Sequence, residues 1–247
     1  MSVETPEELA ALRRAGRAVA ATLLEVRRRV RPGVTTAELD AVAADVLARH
    51  GARSAPALVY GFPGAICISV DDEAVHGIPG PRRLGAGQLV KLDVTAELNG
   101  FYADAAISVP VGRVAGRVQR LAAAARSALR RGVEAARAGA PLNAIGAAVE
   151  DEAGRRRVAV LRELSGHGIG RTIHEPPSVP NVHVPALDAP LAAGTVITVE
   201  PILALGGEGV RAAGDGWTVT TADGSTSAHA EHTIVVTADA PIVLTAG

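Results

Sequence analysis

The sequence predicts an α+β fold built from two similar halves. Residues 1–110 show two helical patterns followed by a group of strand-like segments, and residues 111–247 repeat that order. The segment that joins the halves, 110–116, is short and poor in serine, so it lacks the composition of a flexible linker. We therefore predict one domain over residues 1–247, with pseudo-symmetric halves at about 1–110 and 111–247.

Start and stop signals define the helices. Thr5 and Pro6 are residue types preferred at the N-cap and at the first helical position, and Thr35 with Glu38 has the spacing of a capping box. His50-Gly51 ends the second helical pattern with a typical C-terminal glycine. We predict helices over about 5–30, 35–50, 113–138 and 142–157.

Apolar, β-branched runs between turn residues predict the strands. The clearest turn is Asn99-Gly100, a strong hairpin signal that places about residue 95 opposite about residue 104. A proline-rich loop is predicted at 175–194. Strands are predicted at 88–97, 101–109, 158–168, 195–205, 216–221 and 227–237, with a strand, turn and strand at 58–70 and a short segment at 74–80.

The composition excludes several classes of protein. The chain carries 25 basic and 26 acidic residues, a net charge of −1, and this balance gives no sign of nucleic-acid binding. No apolar run reaches the roughly 18 residues of a membrane span, and the acidic start is unlike a signal peptide. Cys67 is the only cysteine, which rules out a disulfide within the chain and fits a reducing cytoplasm.

Four acids stand alone in apolar, strand-like segments. They are Asp93, Asp104, Glu200 and Glu231. The predicted hairpin brings the two aspartates within reach of one point, and burying like charges together is costly unless a cation neutralises them. The alternative is that these acids face solvent from a half-exposed sheet.

Two histidines lie in the glycine-rich stretch 165–177. The glycines around His167 disfavour a helix, so we predict a strand and turn that offers His167 and His174 to one cavity. The glycines would leave room for a ligand, a metal or another strand. The alternative is a glycine-rich connection with two incidental histidines. Apart from His76, the other histidines are predicted not to bind metal. They are His50, His183, His229 and His232.

Four carboxylates with one imidazole form an oxygen-rich ligand set. Such a set suits two divalent ions of the Mn, Fe, Co or Zn kind better than a thiolate zinc site. Two ions that share a water can lower its pKa, which predicts a metal-dependent hydrolase. The sequence contains no GxSxG, HExxH or Walker motif. Cys67 as a nucleophile is a weaker alternative, since its neighbours Ile66 and Ile68 favour a buried pocket wall.

Six motifs follow one another along almost the whole chain. They are AVHGIP at 74–79, LDV at 92–94 with Asp104 eleven residues after Asp93, GHGIG at 166–170 with His174-Glu175, TVEP at 198–201, GWTV at 216–219 and EHTIVV at 231–236. In combination they resemble the type I methionine aminopeptidases. The resemblance implies the pita-bread metallopeptidase fold, in which the two halves surround a central antiparallel sheet.

The resemblance also implies roles for these residues. The ligands of two divalent ions (Co, Mn, Fe or Zn) would be Asp93, Asp104, His167, Glu200 and Glu231. Asp104 and Glu231 would bridge the ions, and Glu200 would also shuttle a proton. His76 and His174 would contact the peptide and stabilise the tetrahedral intermediate.

The activity implied is removal of the initiator methionine from nascent polypeptides whose second residue is small. The partners would be nascent N-termini, with the ribosome as a candidate partner, and the chain would be a cytoplasmic monomer that binds neither nucleic acid nor membrane.

The methionine pocket implied by the resemblance contains Phe62, Cys67, Trp217 and Ile173. Such enzymes often carry an aromatic residue at the position of Ile173. Val59 and Ala230 are also smaller than usual, and Asp71-Asp72-Glu73 replaces an asparagine-containing approach to His76. These departures predict a wider or looser pocket.

Two alternatives to this activity stay open. The first is a related pita-bread peptidase that cleaves Xaa-Pro bonds, although such enzymes usually carry a separate N-terminal domain. The second is a weakly active or binding-only relative. Loss of a ligand would indicate a binding-only protein, and all five predicted ligands are present.

Overall fold

The computed structural model describes residues 1–246, which form five helices and fifteen strands. The helices are α1 (Pro6–Arg29), α2 (Thr36–Arg49), α3 (Ala55–Tyr60), α4 (Gly116–Ala135) and α5 (Asn143–Arg156). The strands are β1 (Arg53–Ser54), β2 (Cys67–Val70), β3 (Glu73–Val75), β4 (Leu89–Leu98), β5 (Phe101–Pro110), β6 (Ala159–Val160), β7 (Ser165–Gly168), β8 (Glu175–Pro180), β9 (Val196–Val199), β10 (Ile202–Ala204), β11 (Val210–Ala212), β12 (Val219–Thr221), β13 (Ser227–His229), β14 (His232–Val235) and β15 (Ile242–Val243).

The first two helices begin at the predicted caps. The Thr5 side chain accepts a hydrogen bond from the backbone N–H of Glu8, with Pro6 in the first turn. At the start of α2, Thr35 and Glu38 exchange the two hydrogen bonds of a capping box. Local sequence therefore fixes where both helices start.

The strands of residues 1–246 pair antiparallel within four sheets. The fold class is the predicted one. The expected central sheet is divided into separately hydrogen-bonded sheets. The longest pair is the β4–β5 hairpin around Asn99-Gly100, in which Thr95 lies opposite Asp104, as predicted.

Three predicted strands break and pass from one sheet to another. The prediction at 195–205 becomes β9 and β10, which are separated by Glu200-Pro201, and the prediction at 227–237 becomes β13 and β14, separated by Ala230-Glu231. β9 pairs with β14 in a five-stranded sheet, whereas β10 pairs with β13 in a three-stranded one. Proline cannot donate to a ladder, which explains one break. The third break separates β6 from β7.

Two predictions of secondary structure are wrong. Residues 55–60 form the short helix α3, with Ser54 as its N-cap and Gly61 in the left-handed conformation at its end. Capping and a proline in the first turn prevail there over an apolar run that looked like a strand. The predicted loop at 175–194 begins with β8, an edge strand, where prolines are tolerated because one side needs no ladder partner.

Helices cover the sheets and enclose two large hydrophobic clusters. α1 packs against β4 and β5, and α4 packs against α5 and β13. One cluster draws its buried side chains from Ala15 to Val111, and the other from Leu89 to Val236. Across residues 1–246, no helix combines the length and the apolar character needed to cross a membrane.

Two glycines of α5 provide a matched test of this packing. A Cβ at the buried Gly146 would collide with the backbone carbonyl of Val182, whereas one at the exposed Gly154 would meet no described atom within 4 Å. Gly146→Ala should therefore lower the free energy of unfolding by about 1–3 kcal/mol through overpacking. Gly154→Ala should raise it by up to about 1 kcal/mol through helix propensity. Urea unfolding of both variants measures the difference, and equal midpoints would contradict it.

Candidate active site

One cavity of about 280 Å³ brings together every residue predicted for the site. Its lining includes Phe62, Cys67, His76, Asp93, Asp104, His167, Ile173, His174, Glu200, Trp217 and Glu231. Residues as far apart in the sequence as Phe62 and Trp217, 155 positions, therefore share one space.

Two kinds of backbone segment carry the four acids, a continuous hairpin and a pair of strand breaks. Asp93 and Asp104 project from the β4–β5 hairpin, whose register is continuous. Glu200 and Glu231 lie at the two strand breaks, where β9–β10 and β13–β14 change sheets. The N–H of Glu231 donates to the carbonyl of Ala106 on β5 at 2.9 Å, which ties the second pair to the hairpin.

Three of the predicted ligands form a tight group. One ligand atom each from Asp104, His167 and Glu231 lies within 4.8 Å of the others. Asp93 and Glu200 line the same cavity but lie outside this group, and Glu200 Oε1 is 3.6 Å from His167 Nε2.

Burial makes the ionised acids unstable without a counter-charge. Desolvation raises the pKa of Asp104 to about 6, against hydrogen bonds such as that from Thr95 which lower it. Desolvation, with the charge of Asp104 next, raises the pKa values of Asp93, Glu200 and Glu231 well above their usual range. A cation among these acids would oppose the shifts, because a nearby positive charge favours the ionised carboxylates.

A divalent cation fits the donor set. Asp104 Oδ2 accepts a hydrogen bond from Thr95 Oγ1 at 2.7 Å, whereas Asp104 Oδ1 is buried and has no hydrogen-bond partner within residues 1–246. Buried carboxylate oxygens usually have a donor or a metal, so a bound ion would satisfy this atom.

His167 is oriented as a metal ligand. Its Nδ1 lies 2.9 Å from the Gly168 carbonyl oxygen, and since a carbonyl only accepts, Nδ1 carries the proton. Nε2 then presents its lone pair. Desolvation, followed by the charge of His174, lowers the pKa of His167 to about 4, so the ring is neutral near pH 7.

The glycines around His167 serve the neighbouring strands. A Cβ at Gly166 would meet the carbonyl oxygen of Thr198 on β9, and one at Gly168 would collide with that of Pro176 on β8. These glycines therefore allow β7 to lie close to the strands on both sides. Of the three possibilities left open by the sequence, close approach of another strand is the one observed.

His174 and His76 complete the polar side of the cavity. The His174 ring lies 4.2 Å from that of His167, and its Nδ1 is 2.7 Å from the Tyr60 hydroxyl. His76 has φ of 57°, a left-handed conformation that is uncommon outside glycine and that occurs at functional sites. Desolvation lowers the pKa of both histidines, so both are neutral hydrogen-bonding groups near pH 7.

Another part of the cavity lining is apolar. The rings of Phe62 and Trp217 meet edge to face with centroids 5.2 Å apart, and Ile173 is buried beside them in the lining. Burial, with Asp93 next, raises the pKa of Cys67. Its sulfur is therefore a thiol that packs as a wall residue, and the nucleophile alternative has no support.

Two of the predicted pocket departures lie elsewhere. Val59 is on α3, is 44% exposed and is not part of the cavity lining in the described chain. Ala230 lines a second cavity, on the side of Arg27 and Arg126. Among the three small residues noted in the sequence, Ile173 alone touches the site.

Four polar neighbours of the acids have no role in the sequence-based prediction of the site. They are Thr95, Thr198, His229 and Thr233. Each lies two residues from a predicted ligand, and residues i and i+2 of a strand share a face. Thr198 Oγ1 donates to Glu200 Oε1 at 3.0 Å, and the N–H of Asp104 donates to Thr233 Oγ1 at 2.8 Å. Inspection of the residues two positions before and after each acid would have identified them.

Comparisons with known proteins agree with this geometry. The model of metallopeptidase family M24 matches residues 10–238. Methionine aminopeptidase 2 of Bacillus subtilis is 44% identical over 247 residues, covering 99% of each chain. The methionine aminopeptidase of Treponema pallidum is 43% identical, over 98% of this chain and 95% of that protein.

Solved structures show the same relationship. The crystal structure of methionine aminopeptidase from Rickettsia prowazekii superposes with a TM-score of 0.95 at 38% identity, covering 100% of both chains. Prolidase from Pyrococcus furiosus superposes at 0.78 with 20% identity over 65% of its own length, a likeness that shows the fold alone. The chain is thus a metal-dependent peptidase with the pita-bread fold, and it belongs to metallopeptidase family M24 and, within it, to the methionine aminopeptidases.

Proposed function

We propose that this enzyme removes the N-terminal methionine from nascent polypeptides whose second residue is small, using two divalent ions. The observation that carries the proposal is a single cavity lined both by the five predicted metal-ligand side chains and by the apolar residues predicted for the methionine pocket. Relatives over the full length that are named methionine aminopeptidases support it. The Xaa-Pro alternative is supported by fold likeness only.

We propose the ligand set stated from the sequence: Asp93, Asp104, His167, Glu200 and Glu231. Bound divalent ions polarise the scissile carbonyl and lower the pKa of the attacking water. Because both halves supply ligands, we also propose that residues 1–247 act as one catalytic domain.

Glu200 is the proposed proton acceptor. Thr198 donates to its Oε1, and the Glu200 carboxylate would take the proton that the attacking water loses and pass it to the amine that leaves as the peptide bond breaks. His76 and His174 donate hydrogen bonds to the peptide as charge develops on the carbonyl oxygen. The Tyr60 hydroxyl contacts Nδ1 of His174, so the other ring nitrogen, Nε2, is the one left to donate to the peptide.

The apolar wall binds the methionine side chain. Phe62, Trp217 and Cys67 offer aromatic and sulfur surfaces that suit a thioether. The substrates are nascent N-termini and the place of action is the cytoplasm, where new chains are made. Association with the ribosome and a monomeric state are predictions of the same proposal.

The acids predict a pH-dependent effect of metal on stability. An acid whose pKa is higher in the folded than in the unfolded state makes the protein less stable as the pH rises from the unfolded-state pKa to the folded-state pKa. For Asp104 this range runs from about 4 to about 6. Metal-free protein should therefore lose more stability between pH 4 and 7 than Mn²⁺-loaded protein. At 100 times its Kd, Mn²⁺ adds about 2.7 kcal/mol. Thermal melts at pH 5 and 7 measure this.

Asp104→Asn is the control for the stability test. It removes one buried charge, so the metal-free variant should melt above the metal-free native chain at pH 7 and gain less from Mn²⁺. A metal-induced shift of equal size at both pH values would contradict the proposed ligand set.

Methionine release tests the reaction. Chelated protein should release no methionine from Met-Ala-Ser, and added Mn²⁺ or Co²⁺ should restore release, with Met-Leu-Ser cleaved far more slowly. His174→Ala should lower kcat at least 100-fold, whereas His183→Ala, in an exposed loop, should not change it. A correctly folded, metal-bound protein without release would favour the binding-only alternative.

Ile173→Phe tests the pocket. If the pocket is wider than usual, the native chain should cleave Leu-Ala-Ser measurably. The phenylalanine ring should then lower the rate for Leu-Ala-Ser about tenfold relative to that for Met-Ala-Ser. Val59→Phe is the control, because Val59 is exposed on α3 outside the cavity lining. Strict preference for methionine in the native chain would reject the wider pocket.

A further inference from the structure

His229 is a buried histidine that has no role in the reaction proposed above. It is the last residue of β13, its side chain is 2% exposed, and neither ring nitrogen has a hydrogen-bond partner within residues 1–246. An imidazole of this kind costs folding free energy unless something satisfies it. Its neighbours therefore indicate its purpose.

The ring points one nitrogen at two predicted metal ligands. Nε2 lies 3.6 Å from Glu200 Oε2 and 3.7 Å from Glu231 Oε2. These distances are about 0.5 Å longer than an N–H···O hydrogen bond. One nitrogen thus lies nearly equidistant from two carboxylates that come from different strand breaks.

The backbone holds the ring in this position. The N–H of His229 donates to Ser108 Oγ at 2.9 Å, and Ser108 Oγ donates to the His229 carbonyl oxygen at 2.8 Å. Ser108 belongs to β5, the strand that also carries Asp104. The imidazole is therefore anchored to the hairpin that supplies the other acids.

The two oxygens of Glu200 face different polar side chains. Thr198 Oγ1 donates to Oε1, and His229 is the polar side chain that faces Oε2. A neutral imidazole carries one N–H, and a proton on Nε2 would be shared by the two carboxylates that face it. Such outer hydrogen bonds orient ligating carboxylates in metal sites.

We propose that His229 is a positioning residue of the metal centre, whose Nε2–H donates to Glu200 and Glu231 and holds both carboxylates in their ligating orientation. The inference rests on the proposed function only in assigning these two glutamates to the metal. It adds a link between the two strand breaks that neither glutamate provides by itself.

Metal binding in two variants tests the proposal. His229→Gln keeps an N–H donor of similar reach, whereas His229→Leu keeps the bulk and removes the donor. Calorimetric titration of metal-free protein with Mn²⁺ should show Kd raised 10–100-fold in His229→Leu and within about threefold of native in His229→Gln. With saturating Mn²⁺, His229→Leu should lower kcat for Met-Ala-Ser more than it changes KM.

Two further measurements separate positioning from a purely structural role. The metal-free His229→Leu protein should melt no lower than native, since it loses a buried unpaired ring. His232→Leu is the matched control: His232 also adjoins Glu231, but its Nδ1 contacts Thr245 Oγ1 at 2.9 Å and it lines the second cavity. It should leave Mn²⁺ affinity unchanged.

Native affinity in His229→Leu would overturn the proposal. Equal weakening in His229→Gln and His229→Leu would also overturn it, because the ring would then be a direct ligand. Failure of the proposed function is a different result: the native chain would bind Mn²⁺ with the expected dependence on residue 229 but release no methionine.

Discussion

The structure depends on the confinement of four like-charged side chains in one buried space. Carboxylates lose most of their hydration on burial, and the charge of Asp104 further raises the pKa values of Asp93, Glu200 and Glu231. Folding alone does not compensate this cost, because Asp104 Oδ1 has no donor among residues 1–246. A divalent cation removes both the repulsion and the unpaired atom. The cavity is thus a destabilised part of the folded chain that becomes favourable when the metal binds.

Strand breaks are the means by which the fold places these charges. A continuous strand would point Glu200 and Glu231 to a face set by the ladder, and both ladders would remain in one sheet. Breaking at Glu200-Pro201 and at Ala230-Glu231 lets each ribbon join two sheets and frees the acid at the bend. The unbroken β4–β5 hairpin provides the fixed reference against which the bends are aligned.

Sequence predicted what local signals control. Caps at Thr5 and Thr35 and the turn at Asn99-Gly100 act within a few residues, so their outcome is visible in the chain itself. The breaks and the edge strand β8 depend on partners far away in sequence, and an apolar run alone does not reveal them. The helix α3 follows local caps at Ser54 and Gly61 that the apolar run outweighed in the prediction. The sequence places His229 two residues from Glu231 but does not show that it approaches Glu200. Its significance comes from two glutamates that approach it only in the folded chain.

The residues predicted for catalysis and those predicted for the methionine pocket line one cavity, and two of them are neighbours in the chain. Ile173 is buried in the lining, and His174, the next residue, lies against His167. A change of volume at Ile173 therefore alters the lining of the cavity and removes none of the predicted ligands. His174 is restrained separately by the Tyr60 hydroxyl, which keeps its ring in place when the neighbouring side chain varies.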